Sequence, residues 1–287
     1  MKKILLISAV FPPIHGGSGR WFWEIYKRFS QDTVEVLTCQ RDDAQASDAT
    51  FPHRVHRGPL ESSSWGIMSL SGLRFYGRMW RQIDQLVRSN NIGQLHCGRV
   101  VPEGVGALLN RVRRGTPYTC YVHGEDVEVA RTSREISTLT QWVMRYSEKI
   151  IANSENTAEI LRTSWAIGDK QLVVMTPGVD VDRFRPADPG QPNRWPGKTV
   201  ILTVGRLQKR KGQDMMIRAL PKLRERFPDL HYCIVGGGQE EDSLRKLAFR
   251  LRVDDIVEFA GELEDAQMLE CYQHCDLFAL PNRRINN

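Results

Sequence analysis

The stretch KKILLISAVFPPIHGGSGRWFWE, Lys2 to Glu24, decides the fold. Its apolar run, Ile4 to Val10, is stopped by Pro12 and Pro13 well short of the roughly 18 residues a membrane span requires. No signal-peptide cleavage pattern stands behind it, so the run reads as a buried strand of a cytoplasmic protein. GRWFWEIYKRFS reads as the helix that follows, with Ser18 as its candidate cap. Between strand and helix stand Gly16 and Gly17. Without side chains there, main-chain amides can approach a ligand closely. Unpaired N–H groups and the positive end of the helix dipole make such a turn an anion site, and phosphate is the obvious visitor. A turn that only reverses the chain is the plainer reading of the same residues.

Working outward, the 287 residues are 41% hydrophobic and 26% charged, enough for two ordinary soluble domains. Short apolar runs alternate with amphipathic segments. Ile4–Val10, Val34–Leu37, Gln94–Cys97, Thr119–Val122, Lys149–Ala152 and Leu172–Met175 are the expected strands of the first half, and 134–146 is a long helix. This alternation predicts a parallel sheet wrapped by helices. Pro186, Pro189, Pro192 and Pro196 then mark a linker over 185–198, separating a first domain, 1–184, from a second, 199–287. The second series, TVILTVG, LHYCIVG, IVEFAG and DLFALP with helices at 213–226, near 240–252 and from 265, starts another doubly wound sheet. It reads as incomplete, because no crossover helix follows DLFALP and that strand would be left with exposed apolar surface.

Three strand exits of the second series empty into glycine or cation. VGRLQKRKG presents Arg206, Lys209, Arg210 and Lys211; IVGGGQEED presents Gly236, Gly237 and Gly238; FAGELED presents Gly261. Strand C-termini are where open α/β sheets bind ligands, and a row of such exits describes a cleft floor suited to a nucleotide diphosphate. Neither GxGxxG nor GxxxxGK[ST] is present, which disfavours a dinucleotide oxidoreductase and a P-loop ATPase. The six cysteines lack the paired spacing of a zinc site or disulfide framework and read as reduced core residues; Cys271, His274 and Cys275 could share a metal, but packing in a helix is the preferred reading. The net charge of +6 is concentrated in residues 54–114, where ten Lys or Arg face only Glu61, Asp84 and Glu103. There GLRFYGRMWRQIDQLVRS sets Arg74, Arg78, Arg81 and Arg88 in one helical stripe, opposite Leu73, Tyr76, Met79, Trp80, Ile83, Leu86 and Val87. A solvated face accounts for the arginines; the sharper reading lets them meet anionic lipid headgroups, peripherally on a membrane, with Trp21, Phe22 and Trp23 as rim contacts. No nucleic-acid recognition module accompanies these charges.

FPPIHGG, YVHGEDV, IIANSENTAEIL, TPGVDVDRF, TVGRLQKRKGQD, IVGGG, FAGELED and CDLFALPN together, in this order, resemble the retaining glycosyltransferases of family 4. The resemblance implies the GT-B fold, two Rossmann-like doubly wound parallel-sheet domains with the active site between them, the second incomplete here. It implies transfer of a sugar from a nucleotide diphosphate sugar to a lipid-linked or oligosaccharide acceptor, without cofactor or obligatory metal. By matching motifs, Arg206 and Lys211 grip the diphosphate and stabilise the leaving phosphate. Gly16 and Gly17 bring amides to the same group, and Gly236, Gly261 and Leu263 complete the donor site. His123 matches a histidine beside the donor sugar, although a histidine tying a strand end to its loop looks the same in sequence. Trp21 and Glu125 are the acceptor-side candidates. The LPNR ending resembles mannosyl branches, so GDP-mannose is the expected donor and a UDP-sugar its alternative. The family's pair of glutamates after the DLFALP strand lies past Asn287, so weak or no activity of these 287 residues is expected, and a non-catalytic nucleotide-sugar-binding module is the competing reading.

Overall fold

The computed structural model describes residues 2–14, 16–62 and 65–283. Two compact units divide the chain, residues 1–178 and 179–287. The division falls after Gly178, ahead of the expected Phe184, and the stretch expected as a linker packs within the second unit. There the Trp195 indole N–H donates to Glu258 (2.8 Å), and Arg194 pairs with Glu258 (3.2 Å) and Glu270 (3.4 Å). Proline bars helix and ladder, but it does not bar side chains from packing.

In the first unit the elements follow as β1 (Lys3–Ile7), α1 (Gly17–Tyr26), β2 (Val34–Cys39), α2 (Ala44–Thr50), β3 (Arg54–Gly58), α3 (Leu70–Ser89), β4 (Ile92–Cys97), α4 (Glu103–Arg114), β5 (Tyr118–Val122), α5 (Glu125–Ala130), α6 (Arg134–Tyr146), β6 (Lys149–Ala152), α7 (Glu155–Trp165) and β7 (Leu172–Val174). All strands run parallel in the order β3-β2-β1-β4-β5-β6-β7. β1 is continuously apolar because it is central and covered on both faces. Leu5 and Ile7 join one core with Phe75, Met79, Val105, Val143 and Leu161, while Ile4 and Leu6 join the opposite one with Trp21, Phe22, Tyr26 and Phe51. β3, RVHRG, had no apolar run to announce it: as an edge strand it pairs only with β2, and charge there discourages further pairing.

The second unit holds β8 (Thr199–Val204), α8 (Gln213–Arg226), β9 (Leu230–Val235), α9 (Glu241–Arg250), β10 (Val257–Gly261), α10 (Asp265–His274) and β11 (Leu277–Phe278). These strands are parallel in the order β10-β9-β8-β11, with Leu277 and Phe278 exposed at the edge. In each sheet the winding direction reverses once, between β1 and β4 and between β8 and β11. Those two reversals are the positions where doubly wound sheets open a crevice for a ligand.

Two local expectations are corrected. Ser18 lies inside the first turn of α1, and Gly16 is the capping residue, with no side-chain cap bond. On α3 the hydrophobic Leu73 is exposed and Phe75 takes the buried place. Ser154 caps α7, accepting from the Thr157 N–H at 3.2 Å. The cysteines are free thiols, and all but Cys275 are buried.

Candidate functional site

The first unit's reversal point is built from the exits of β1, β4 and β5. After the β1 exit Gly16 caps α1 and Gly17 is its first residue, and the first N–H groups of that helix have no acceptor within it. Gly16 has φ 170°, extended backbone open to any residue. A Cβ on Gly16 would meet only Val10 Cγ1 at 3.4 Å, and one on Gly17 would meet nothing within 4 Å. Gly19 differs, since its Cβ would lie 3.2 Å from the Val10 carbonyl oxygen. Chain geometry thus accounts for Gly19 but leaves Gly16 and Gly17 unexplained, and their open space adjoins a helix N-terminus.

Across the reversal, Glu103 at the start of α4 is wholly buried. Its Oε1 accepts from the Ala9 N–H (3.0 Å) and from Arg99 Nη2 (2.9 Å) and Nε (3.2 Å), tying the β1 exit to the β4 exit. The Glu103 charge holds Arg99 above the usual arginine range. Arg99 lies over the Trp65 ring, 5.2 Å from its centroid. The sequence reading did not find this pair. The available signal was an acid at a helix start, four residues after an arginine, within the apolar context CGRVVPEGVGALL.

His123 follows β5. Its Nε2 lies 2.9 Å from the Gly98 carbonyl oxygen, which can only accept, so Nε2 carries a hydrogen and donates it there. Asp126 Oδ1 accepts from the His123 N–H (3.1 Å) and the Val127 N–H (3.0 Å), and Asn153 Nδ2 donates to the His123 carbonyl (3.4 Å). Burial pushes the Asp126 carboxyl upward, against the pull of His123 and these N–H groups. Adjacent Glu125 points outward and is exposed. Trp21, expected at the rim with Phe22, is instead buried at 6% exposure, with its ring edge-on to His123 at 5.9 Å. It supports the histidine from beneath, because the apolar side of α1 has to face the sheet.

In the second unit the β8 exit carries the cations. Buried Leu207 anchors this loop, its N–H donating to the Gly237 carbonyl at 2.9 Å. Beside it Arg206 is exposed, without an ion-pair partner among the described residues. Buried Gln213 Nε2 donates to the Arg206 carbonyl (3.2 Å) and fixes its backbone. Lys209–Lys211 form a 3-10 turn ending at Gly212. Gly236, expected to serve the donor, has φ 124°, and a Cβ there would lie 2.4 Å from the Gly205 carbonyl oxygen; its bareness lets two strand exits touch. The Gly236 N–H donates to the Gly261 carbonyl at 2.7 Å, bringing the β10 exit alongside. Leu263 packs into the core with Trp195, which leaves its main chain for other partners. Among the described residues no three His, Cys, Asp or Glu side chains gather as a metal site; Cys271 lies buried against Cys233.

Family comparison agrees with this architecture. Residues 15–183 match the model of Glycosyltransferase Family 4, and residues 184–284 that of Glycosyl transferases group 1. The chain is 27% identical to a GDP-mannose-dependent alpha-(1-6)-phosphatidylinositol monomannoside mannosyltransferase of Mycobacterium tuberculosis, over 99% of this chain and 73% of that relative. It is 31% identical to D-inositol 3-phosphate glycosyltransferase 2 of Catenulispora acidiphila, over 98% of this chain and 74% of that relative. Among solved structures, Anabaena HepE in complex with UDP and glucose aligns with a TM-score of 0.77 at 18% identity, covering 98% of this chain and 74% of that one. The two parallel sheets, their order and these matches make the chain a member of glycosyltransferase family 4, a hexosyltransferase with the GT-B fold.

Proposed function

We propose that this enzyme transfers a hexose, mannose from GDP-mannose in first place, from a nucleoside diphosphate sugar to a lipid-linked or oligosaccharide acceptor, with retention and without a metal. One observation carries the reading: the reversal point of the second sheet presents an exposed Arg206 with no carboxylate paired to it among the described residues, on a loop that also bears Lys211. The named donor of the mycobacterial relative and the UDP held by the Anabaena structure support the choice of ligand.

In this reading Arg206 and Lys211 take the role a metal plays elsewhere, stabilising charge that grows on the departing phosphate. The bond from the anomeric carbon to phosphate oxygen breaks while a bond to the acceptor oxygen forms on the same face. The acceptor's proton passes to the departing phosphate oxygen, so no side-chain nucleophile is needed. His123 hydrogen-bonds a donor-sugar hydroxyl and orients the ring. The same reading extends to an anionic membrane surface: Arg74, Arg78 and Arg81 are exposed on α3, next to Met68 (88% exposed) and Leu70 (73%). Arg88 is less suited, because Asp84 pairs with it at 3.4 Å.

Calorimetric titration with GDP, UDP and ADP tests the donor assignment. Binding of one diphosphate is expected, weakened about tenfold or more in Arg206→Ala and in Lys211→Ala, as loss of a charge-assisted hydrogen bond implies. Equal binding by wild type and both variants would overturn it. Where transfer is detected, EDTA is expected to leave it unchanged and the product to keep the donor's anomeric configuration by NMR.

A further inference from the structure

The LPNR motif, Leu280 to Arg283, follows β11 and reaches back to the loop that carries Lys211. The Arg283 N–H donates to the Arg210 carbonyl at 2.9 Å, and Arg283 Nε donates to the Lys209 carbonyl at 3.1 Å. Its terminal nitrogens meet both carboxylate oxygens of Asp214, Nη1 to Oδ2 and Nη2 to Oδ1, each at 3.0 Å. All three guanidinium nitrogens are thus engaged at once, one on the turn and two on the first turn of α8.

The Lys209–Lys211 turn has little else to hold it. None of its three side chains is buried. It closes through the Lys211 N–H to the Gln208 carbonyl (2.8 Å) and a longer bond from the Gly212 N–H to the Lys209 carbonyl (3.3 Å). A single 3-10 turn is a weak unit by itself. Beside it a cavity of about 180 Å³, whose walls include Gln208, Lys209, Asp214 and Arg283, leaves that side without packed support. The start of the loop is fastened separately, by Gln213 on the Arg206 carbonyl and by the Leu207 N–H on Gly237.

Holding β11 is not what Arg283 adds. That strand is tied to β8 by the Val200 N–H to Asp276 Oδ2 (2.8 Å), the Ala279 N–H to the Leu202 carbonyl (2.8 Å) and Thr203 Oγ1 to the Ala279 carbonyl (2.7 Å). The Arg283–Asp214 pair is also partly exposed, at 38% and 25%, and such a pair contributes little to global stability. Its effect falls on the turn.

We propose that Arg283, aimed by Asp214, is a positioning residue for the nucleoside diphosphate: it fixes the 209–211 turn in the shape that presents Lys211 to the phosphates. The proposal rests on the donor reading above and deepens it. A lysine on an unclasped turn has to be ordered as the ligand arrives, and that lost freedom lowers affinity.

Calorimetric titration of GDP and of UDP into wild type, Arg283→Gln, Asp214→Asn, Lys211→Ala and the double variant Arg283→Gln/Lys211→Ala tests it. Arg283→Gln and Asp214→Asn are each expected to weaken the diphosphate that binds by about three- to tenfold, the range of one ordinary hydrogen bond, with little shift of the urea midpoint. In the Lys211→Ala background, Arg283→Gln is expected to add less than about a twofold loss, because the residue it positions is gone. A full further loss in that background overturns the proposal, since a clasp that merely supported the fold would act whether or not Lys211 is present. Unchanged affinity in Arg283→Gln and Asp214→Asn overturns it too. Binding that Lys211→Ala weakens and Arg283→Gln does not sinks this proposal alone; wild type binding neither diphosphate, or Lys211→Ala binding as wild type does, sinks the donor reading with it.

Discussion

Gly17 and Gly212 look alike in the sequence and are opposites in the fold. Gly212 adopts φ 73°, and a Cβ there would lie 1.9 Å from the Pro281 carbonyl oxygen; the backbone allows no other residue. Gly17 is helical with open space around it. Gly17→Ala is therefore expected to hold or raise stability by up to about 1 kcal/mol, since alanine suits a helix better, while weakening nucleoside diphosphate binding. Gly212→Ala is expected to cost more than about 2 kcal/mol through strain and collision. Urea midpoints and calorimetry on the two variants separate these cases, and a destabilised Gly17→Ala with unchanged affinity would give Gly17 a purely structural role. At this scale the strand-exit positions of His123, Arg206 and Lys211 were legible because their motifs are local. Arg99 and Glu103 were not, because what distinguishes them is the contact of Glu103 with Ala9, far away in the chain.

Elements were legible where burial imposes a period. β1, β2 and β5 announce themselves as apolar runs because both of their faces are covered, and α6 lies over the residues its pattern marked out. β3 stayed silent because an edge strand is held by one ladder and need not be apolar. α3 shows the other limit, since its angular stripe is right but the packing of the neighbouring α4 decides which flanking residues are covered, so Leu73 remains exposed. That exposure sharpens the membrane prediction. Arg74→Glu/Arg78→Glu/Arg81→Glu is expected to abolish sedimentation with vesicles rich in anionic lipid at low salt, and Leu70→Ser/Leu73→Ser to reduce it at all salt concentrations. Binding that ignores both lipid charge and these substitutions would remove the lipid surface from the account. Among the described residues no helix is long and apolar enough to cross a membrane.

Taken whole, the chain sets its glycine- and cation-bearing loops at the C-terminal ends of two parallel sheets and stores polar cost elsewhere. Tyr26 and His96 meet at 2.5 Å between hydroxyl and Nδ1, and Tyr121 joins at 3.1 Å. Burial pushes His96 down to about 4, against an ordinary value of about 6.5. Between those two values the unfolded ring is protonated and the folded one is not, so the unfolded state binds more protons and stability rises with pH. The contribution is complete above about 6.5 and is lost as pH falls to about 4, by up to about 3 kcal/mol. Urea unfolding of wild type and His96→Gln at pH 7 and 4.5 checks it. The variant is expected to show the smaller acid loss, and equal losses would exclude His96 as the source.

By itself the sequence determined the parallel, doubly wound class, the existence of two series and the residues at the strand exits. Those properties follow from local period and from glycine and proline, which act within a few residues. Tertiary structure alone decided which exits share a reversal point, why Gly236 must be bare, that Trp21 is covered and that Glu103 ties Arg99 to the Ala9 main chain. Each of these depends on groups far apart in sequence meeting in space, where sterics and desolvation act only once the sheet has formed.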